Sequence, residues 1–171
     1  ENSINPRTKL LVLNSPSNPT GAVYSKSELL GLAKVLNKHK HVHIITDDIY
    51  EHICLGDEEF VNILMADNSL KDRTIILNGV SKAYAMTGWR IGYAAGPEDI
   101  IKAMKKIQSQ STSNPCSIAQ SAAVEALNGD QSFIKTMLTE FNKRHEYIVS
   151  ELNKIDGVEC PSSHGSFYSF P

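Results

Sequence analysis

Short apolar runs alternate with helical spacings through the first hundred positions of the chain. "KLLVLN" (9–14), "VHIITD" (42–47) and "TIILN" (74–78) are near-continuous apolar stretches, the pattern of strands buried on both faces. "IGYAAG" (91–96) reads as a fourth, weaker strand. "SPSNPTG" interrupts regular structure with two prolines and a glycine. Ser25 and Glu28 then form an S-x-x-E capping box, and Leu29, Leu30, Ala33 and Leu36 follow at helical spacing. Strands alternating with helices predict crossover connections and a mostly parallel sheet in an α/β fold.

The second half is helical in pattern. Pro97 opens a helix through about Gln110. "SNPCSIAQSAAVEALNG" reads as a loop, a small-residue helix and a stop at Gly129. Helical spacing then runs from Gln131 to about Ile155, long enough to link two packing units. After Gly157, "VEC" and "SFYSF" read as strands of a second unit with little core of its own. The expected division is therefore 1–130, a connecting helix over 131–156, and the start of a smaller unit over 157–171. This is the pattern of an incomplete chain.

Composition narrows the function classes. The 171 residues are enough for a core, and 17 basic against 19 acidic residues give a net charge of −2. That balance supplies no basic footprint for nucleic acid. No apolar run approaches the roughly 18 residues of a membrane span. "ENSINPRTKLL" carries neither the basic nor the apolar region of a signal peptide. Cys54, Cys116 and Cys160 form no CxxC pair, so buried reduced thiols and a cytoplasmic location are expected.

The chemically capable residues fall after strands. Asn18 follows the first, Asp47 ends the second and Lys82 follows the third. Parallel strands would bring all three to one crevice, because ligands bind outside the carboxyl ends of such strands. A lysine amine attacks a carbonyl to form an imine when it is neutral part of the time, which desolvation or a nearby cation such as Arg90 promotes. Arg90 also suits a phosphate. Asp47 needs a cationic partner, for which a protonated ring nitrogen is suitable. Asn18 and Tyr50 can donate to a phenolate-type oxygen. Aldehyde, phosphate, pyridinium nitrogen and phenolate oxygen together describe pyridoxal phosphate.

Three stretches carry a resemblance: "SNPTG" (17–21), "DDIYE" (47–51) and "SKAYAMTGWRIGY" (81–93). In this order and at these separations they resemble the class I aminotransferases, fold-type I pyridoxal 5'-phosphate enzymes similar to aspartate aminotransferase. "STSNP" (111–115) is similar to the family's loop near the subunit interface. The resemblance covers essentially the whole chain. It implies the middle of such an enzyme: most of the cofactor half of a large domain, with a mostly parallel sheet and flanking helices, and the first part of a small α+β domain.

By the same resemblance, Lys82 forms the aldimine with the cofactor and carries a proton during amino transfer. Asp47 pairs with the pyridine nitrogen, and the D-x-x-Y spacing selects it over Asp48. Tyr50 and Asn18 bind the phenolic oxygen, and Arg90 binds the phosphate. The implied reaction moves an amino group between an amino acid, aspartate or glutamate first, and a 2-oxo acid. Aromatic, alanine or prephenate specificity, and a lyase of the same fold, stand as alternatives. A homodimer is implied for the full-length enzyme, and the 171 residues alone are expected to be inactive.

Two departures from the family pattern stand out. Gly79 occupies the place, three residues before the lysine, where many relatives carry a phosphate-binding serine. Ser109 stands where some aspartate-specific relatives carry an arginine for the distal carboxylate. Plainer readings cover other candidates. His39, His41 and His43 alternate as strand ligands could, but His39 falls at a helix end, where histidine complements the dipole. Cys54 reads as a packed thiol and "GDEE" (56–59) as a solvated loop. A non-catalytic module that keeps the fold would need neither Lys82 nor Asp47.

Overall fold

The computed structural model describes residues 2–57 and 59–171, so Glu58 of the "GDEE" run lies outside the described residues. Four strands form one sheet in the order β1 (Leu10–Asn14), β2 (His43–Asp47), β3 (Thr74–Gly79), β4 (Gly92–Ala95). The first three are parallel, as the alternation predicts, and β4 returns antiparallel to β3. The helices are α1 (Lys26–Lys38), α2 (Ile63–Ala66), α3 (Glu98–Ser111), α4 (Ser117–Asn128) and α5 (Ser132–Leu152). The observed architecture is therefore α/β with a mostly parallel sheet and flanking helices.

Local chemistry explains the boundaries. The capping box forms: Glu28 N donates to Ser25 Oγ at 3.3 Å, and Ser25 N donates to Glu28 Oε2 at 2.8 Å. Hydrogen bonds from Ser25 hold the Glu28 carboxyl below its usual pKa. The apolar side of α1 packs Leu29, Ala33 and Leu36 onto Leu13 of β1, Ile44 of β2 and Val42 just before β2, with Ile63 and Leu70 closing the cluster. His39 ends α1, as its position in the sequence suggests.

Arg73 secures the opposite end of this layer. Its guanidinium donates to the carbonyls of Leu36 (2.8 Å), His39 (3.3 Å) and Val42 (2.7 Å). Leu36 O and His39 O also accept the backbone N–H groups of His39 and Val42, so Arg73 adds a second donor to carbonyls at the end of α1. One side chain thereby joins the end of α1 and the entry to β2 to the start of β3.

A second cluster forms where β3 leads into β4. Val80, Ile91, Ala119 and Ala123 are buried together, with Tyr84 and Met86 against them. The long helix α5 spans 21 residues, within the predicted 131–156. The strands predicted after Gly157 do not form. Cys160 gives its N–H and carbonyl to the side chain of Asn153 instead of to a neighbouring strand. Within "SFYSF", Ser166 takes φ 57, a left-handed conformation that breaks an extended run. Gly165 makes a single bridge to Cys54.

In the full-length protein, Arg73→Met should remove these three side-chain hydrogen bonds and cost about 2 kcal/mol of stability. A lower denaturant midpoint at unchanged slope checks this.

Candidate functional site

The parallel register aligns the strand ends. Asn14 lies beside Asp47, and Asp47 beside Leu77. The Asn14 side chain then ties two loops together. Its Nδ2 donates to the Asp47 carbonyl at 3.1 Å, and its Oδ1 accepts from the Asn18 N–H at 2.9 Å. The loop carrying Asn18 closes on itself, with Ser17 N bonded to Ala22 O at 2.9 Å and Gly21 N to Ser17 O at 3.0 Å. Asn18 sits exposed near its tip.

Pleating separates the two adjacent aspartates. Asp48 is 1% exposed, and its carboxylate accepts from Thr46 Oγ1 at 2.6 Å and Asn62 Nδ2 at 2.7 Å. Burial raises its pKa against the pull of those two bonds, and the neighbouring charges of Glu51 and Asp47 add to the rise. Asp48 is thus committed to the core. Asp47 is half-buried, with Oδ1 3.3 Å from the Ile49 N–H.

Tyr50 follows in a tight turn, in which Glu51 N bonds to Asp48 O and Ile53 N to Tyr50 O, both at 2.8 Å. Its ring is buried, and its hydroxyl lies 2.8 Å from that of Tyr168. Lys82 enters this same space from the loop after β3. Its Nζ lies 5.5 Å from the centre of the Tyr50 ring and 5.8 Å from that of Phe167. A half-buried lysine in an apolar stretch therefore has aromatic faces to meet its ammonium group.

Arg90 ends a 3-10 turn (Thr87–Trp89) with φ 54, and its Nη1 donates to Thr87 O at 2.9 Å. Among the described residues, no side-chain hydrogen bond of Arg90 reaches Lys82, Asp47, Tyr50 or Asn18. The structure thus brings Lys82 to Tyr50 and links Asn18 to Asp47 through Asn14, while Arg90 stands exposed on the loop that Lys82 begins.

The sequence departures have physical counterparts. A Cβ on Gly79 would lie 2.8 Å from the Ile91 carbonyl and 3.1 Å from Ile49 Cδ1, so the sheet leaves no room for a serine there. Ser109 is exposed on α3 and donates to the carbonyl of Lys106 at 2.8 Å.

Sequence reasoning missed the segment that completes the site. Residues 163–168 cross back over the first two loops as a strap. His164 N and Gly165 N both donate to Gly21 O, Leu55 N donates to His164 O, and Ser166 N to Ile53 O. The crossing is close: a Cβ on Gly21 would lie 2.4 Å from Ser163 Cβ, and one on Gly165 2.6 Å from Pro16 Cβ. The buried His145 fixes the strap's start, its Nε2 accepting from Ser163 N at 3.0 Å. Burial lowers the His145 pKa, which favours the neutral, accepting ring. The strap delivers Phe167 and Tyr168. No local pattern marks it, because its place is set by contacts with residues more than a hundred positions away.

Sequence and fold match one family. Residues 1–171 fit the model of the family described as aminotransferase class I and II, and the chain belongs to it. It is 58% identical over 170 residues to the aspartate/prephenate aminotransferase of Nitrosomonas europaea, covering 99% of this chain and 43% of that protein. It is 52% identical to the aspartate aminotransferase of Rhizobium meliloti, over 99% of this chain and 42% of that one. The crystal structure of the Rhizobium meliloti aspartate aminotransferase superposes with a TM-score of 0.94 over 97% of this chain and 42% of that chain. An aromatic aminotransferase structure from Pyrococcus horikoshii gives 0.92 at 35% identity, covering 99% and 45%. The chain thus spans less than half the length of these relatives.

Gly21→Ala in the full-length protein should force the strap away from the "SNPTG" loop, since both φ +68 and the backbone carbonyl of Gly165 resist a methyl group. The expected cost is roughly 2 kcal/mol or more. Hydrogen exchange should accelerate at the His164 and Gly165 amides while the amides of α1 keep their protection.

Proposed function

We propose that this chain supplies the central part of the active site of a pyridoxal 5'-phosphate-dependent aminotransferase. The observation that carries the reading is Lys82 Nζ held over the Tyr50 ring at 5.5 Å, at the sheet edge where Asp47 ends β2. The donor set fits the cofactor by chemistry. Lys82 offers an amine for the aldehyde, Asp47 a carboxylate for the ring nitrogen, Asn18 and Tyr50 donors for the phenolic oxygen, and Arg90 a guanidinium for the phosphate. When bound, the cofactor supplies an electron sink for the bonds at an amino acid's α-carbon.

The protein's own residues do the rest. Asp47 would keep a positive ring nitrogen in place, because a half-buried carboxylate favours a protonated partner. Tyr50 and Asn18 would fix the phenolic oxygen from the loops after β2 and β1. Lys82, on a flexible stem between aromatic faces, would bind the aldehyde carbon and later carry the proton at Nζ. Arg90, held in its turn by Thr87 O, would anchor the phosphate end.

The amino-group donor is aspartate or glutamate and the acceptor a 2-oxo acid, a reading supported by relatives named aspartate/prephenate aminotransferase at 58% and 55% identity. The same names favour prephenate as an acceptor. In the domain division proposed, 1–130 belongs to the large domain, 131–156 to the connecting helix and 157–171 to the small domain. A cytoplasmic homodimer is proposed for the full-length protein. Ile107, Ile118 and Val124 are 71%, 70% and 59% exposed on α3 and α4, which supports a surface that is covered in the assembly.

Borohydride reduction of the full-length protein with pyridoxal phosphate should fix the cofactor to Lys82, as read by mass spectrometry of the peptides. Lys82→Ala should abolish that adduct and lower transamination at least about 10³-fold. Persistence of the same adduct in Lys82→Ala would refute the assignment.

Asp47→Ala should weaken cofactor binding roughly tenfold to a hundredfold, the effect of losing one charge-assisted hydrogen bond. Equilibrium dialysis against the cofactor measures it.

A further inference from the structure

The Tyr50–Tyr168 pair joins residues 118 positions apart through hydroxyls separated by 2.8 Å. Resting on the function proposed above, we infer that Tyr168 is a positioning residue: its phenol donates to Tyr50 and thereby turns the Tyr50 proton toward the cofactor's phenolic oxygen.

Each hydroxyl has one proton, so only one member of the pair donates across this contact. Burial, then the bond to Tyr50, raise the Tyr168 pKa, while the charge of Lys82 opposes them. Tyr168 therefore keeps its proton at neutral pH. If that proton lies between the two oxygens, Tyr50 accepts it, and its own proton is left for another acceptor. Donors in series strengthen one another, so Tyr50 becomes the better donor for being bonded from behind.

Tyr168 does not owe its place to Tyr50. The strap is fixed by Gly165 N to Gly21 O at 2.9 Å and Ser166 N to Ile53 O at 2.8 Å. Ser163 Oγ also donates to the Tyr168 carbonyl at 3.3 Å. The rings add edge-on contacts, with centroids 5.9 Å apart for Tyr50 and Tyr168 and 5.6 Å for Tyr50 and Phe167. Tyr168→Phe would keep these ring contacts and remove only the donor.

The test uses the full-length protein loaded with pyridoxal phosphate. The readout is the midpoint of the pH titration of its visible absorbance. Donation into the phenolic oxygen lowers the proton affinity of the group titrating beside it, so losing a donor should raise the midpoint. Tyr168→Phe should raise it by about half a unit, Tyr50→Phe by more, and the double variant by no more than Tyr50→Phe alone. An unchanged midpoint in Tyr168→Phe, with Tyr50→Phe still shifting it, overturns the inference and leaves the proposed function standing. A change in thermal unfolding without a change in midpoint gives Tyr168 a structural role only and also overturns it. If Tyr50→Phe leaves the midpoint unmoved, both the inference and the cofactor role of Tyr50 fall.

Discussion

One side-chain amide, that of Asn14, couples the ends of the first two strands. The parallel register sets Asn14 beside Asp47, and the amide then uses both its ends, donating to the Asp47 carbonyl and accepting from the Asn18 N–H. An amide that both donates and accepts can fix two loops with one rotamer, which a hydroxyl or an apolar residue of the same size does less well. The end of β2 at Asp47 and the loop that carries Asn18 are therefore tied to each other through one side chain. Pleating adds the second constraint: alternate positions of β2 point into the core, so Thr46 and Asp48 are buried while Asp47 stays on the other face.

The strap depends on this alignment. Gly21 and Gly165 meet without side chains between them, and two strap amides converge on the single carbonyl of Gly21. Such close backbone approach is available only to glycine, and here it determines how near the aromatics of the strap come to Tyr50. Phe167 and Tyr168 then complete an aromatic surround in which Lys82 is held. A charged lysine near aromatic faces keeps some electrostatic compensation for the water it gives up. The apolar character of "SKAYAM" and the presence of its lysine are thus compatible, because the compensating groups arrive from far along the chain.

That distance marks what could be read in advance. The three parallel strands, the capping box at Ser25 and the helix of α5 rest on local periodicity and capping, and all were legible. The choice of Asp47 over Asp48 rested on the resemblance, through the family's D-x-x-Y spacing; the structure buries Asp48 against Thr46 and Asn62 and leaves Asp47 half-buried. The strands expected in "VEC" and "SFYSF" failed because alternation measures only a pattern. Asn153 satisfies the backbone of Cys160, and the left-handed Ser166 breaks the run. Tyr168 was invisible as a site residue since its contact with Tyr50 depends on the Gly21–Gly165 crossing, which no local signal encodes. Arg73 escaped notice for the same reason: its three carbonyls lie more than thirty positions away.

The antiparallel return of β4 explains why one loop can hold both cations. A fourth parallel strand would require a crossover, and the chain would leave the carboxyl edge of the sheet before pairing again. Instead Gly79 pairs with Gly92, so the loop between them starts and ends at the same edge. Val80 and Ile91, at its two feet, are buried together with Ala119 and Ala123 of α4. Ala85 and Arg90 take left-handed backbone at φ 52 and 54, which folds the intervening residues back on themselves. Gly79 fits this arrangement because any side chain would strike the Ile91 carbonyl at the loop's closing foot. The absence of a side chain at Gly79 therefore lets the two feet of the loop approach this closely. The closed base thus keeps Lys82 near one foot and Arg90 near the other, the placement on which the proposed cofactor reading rests.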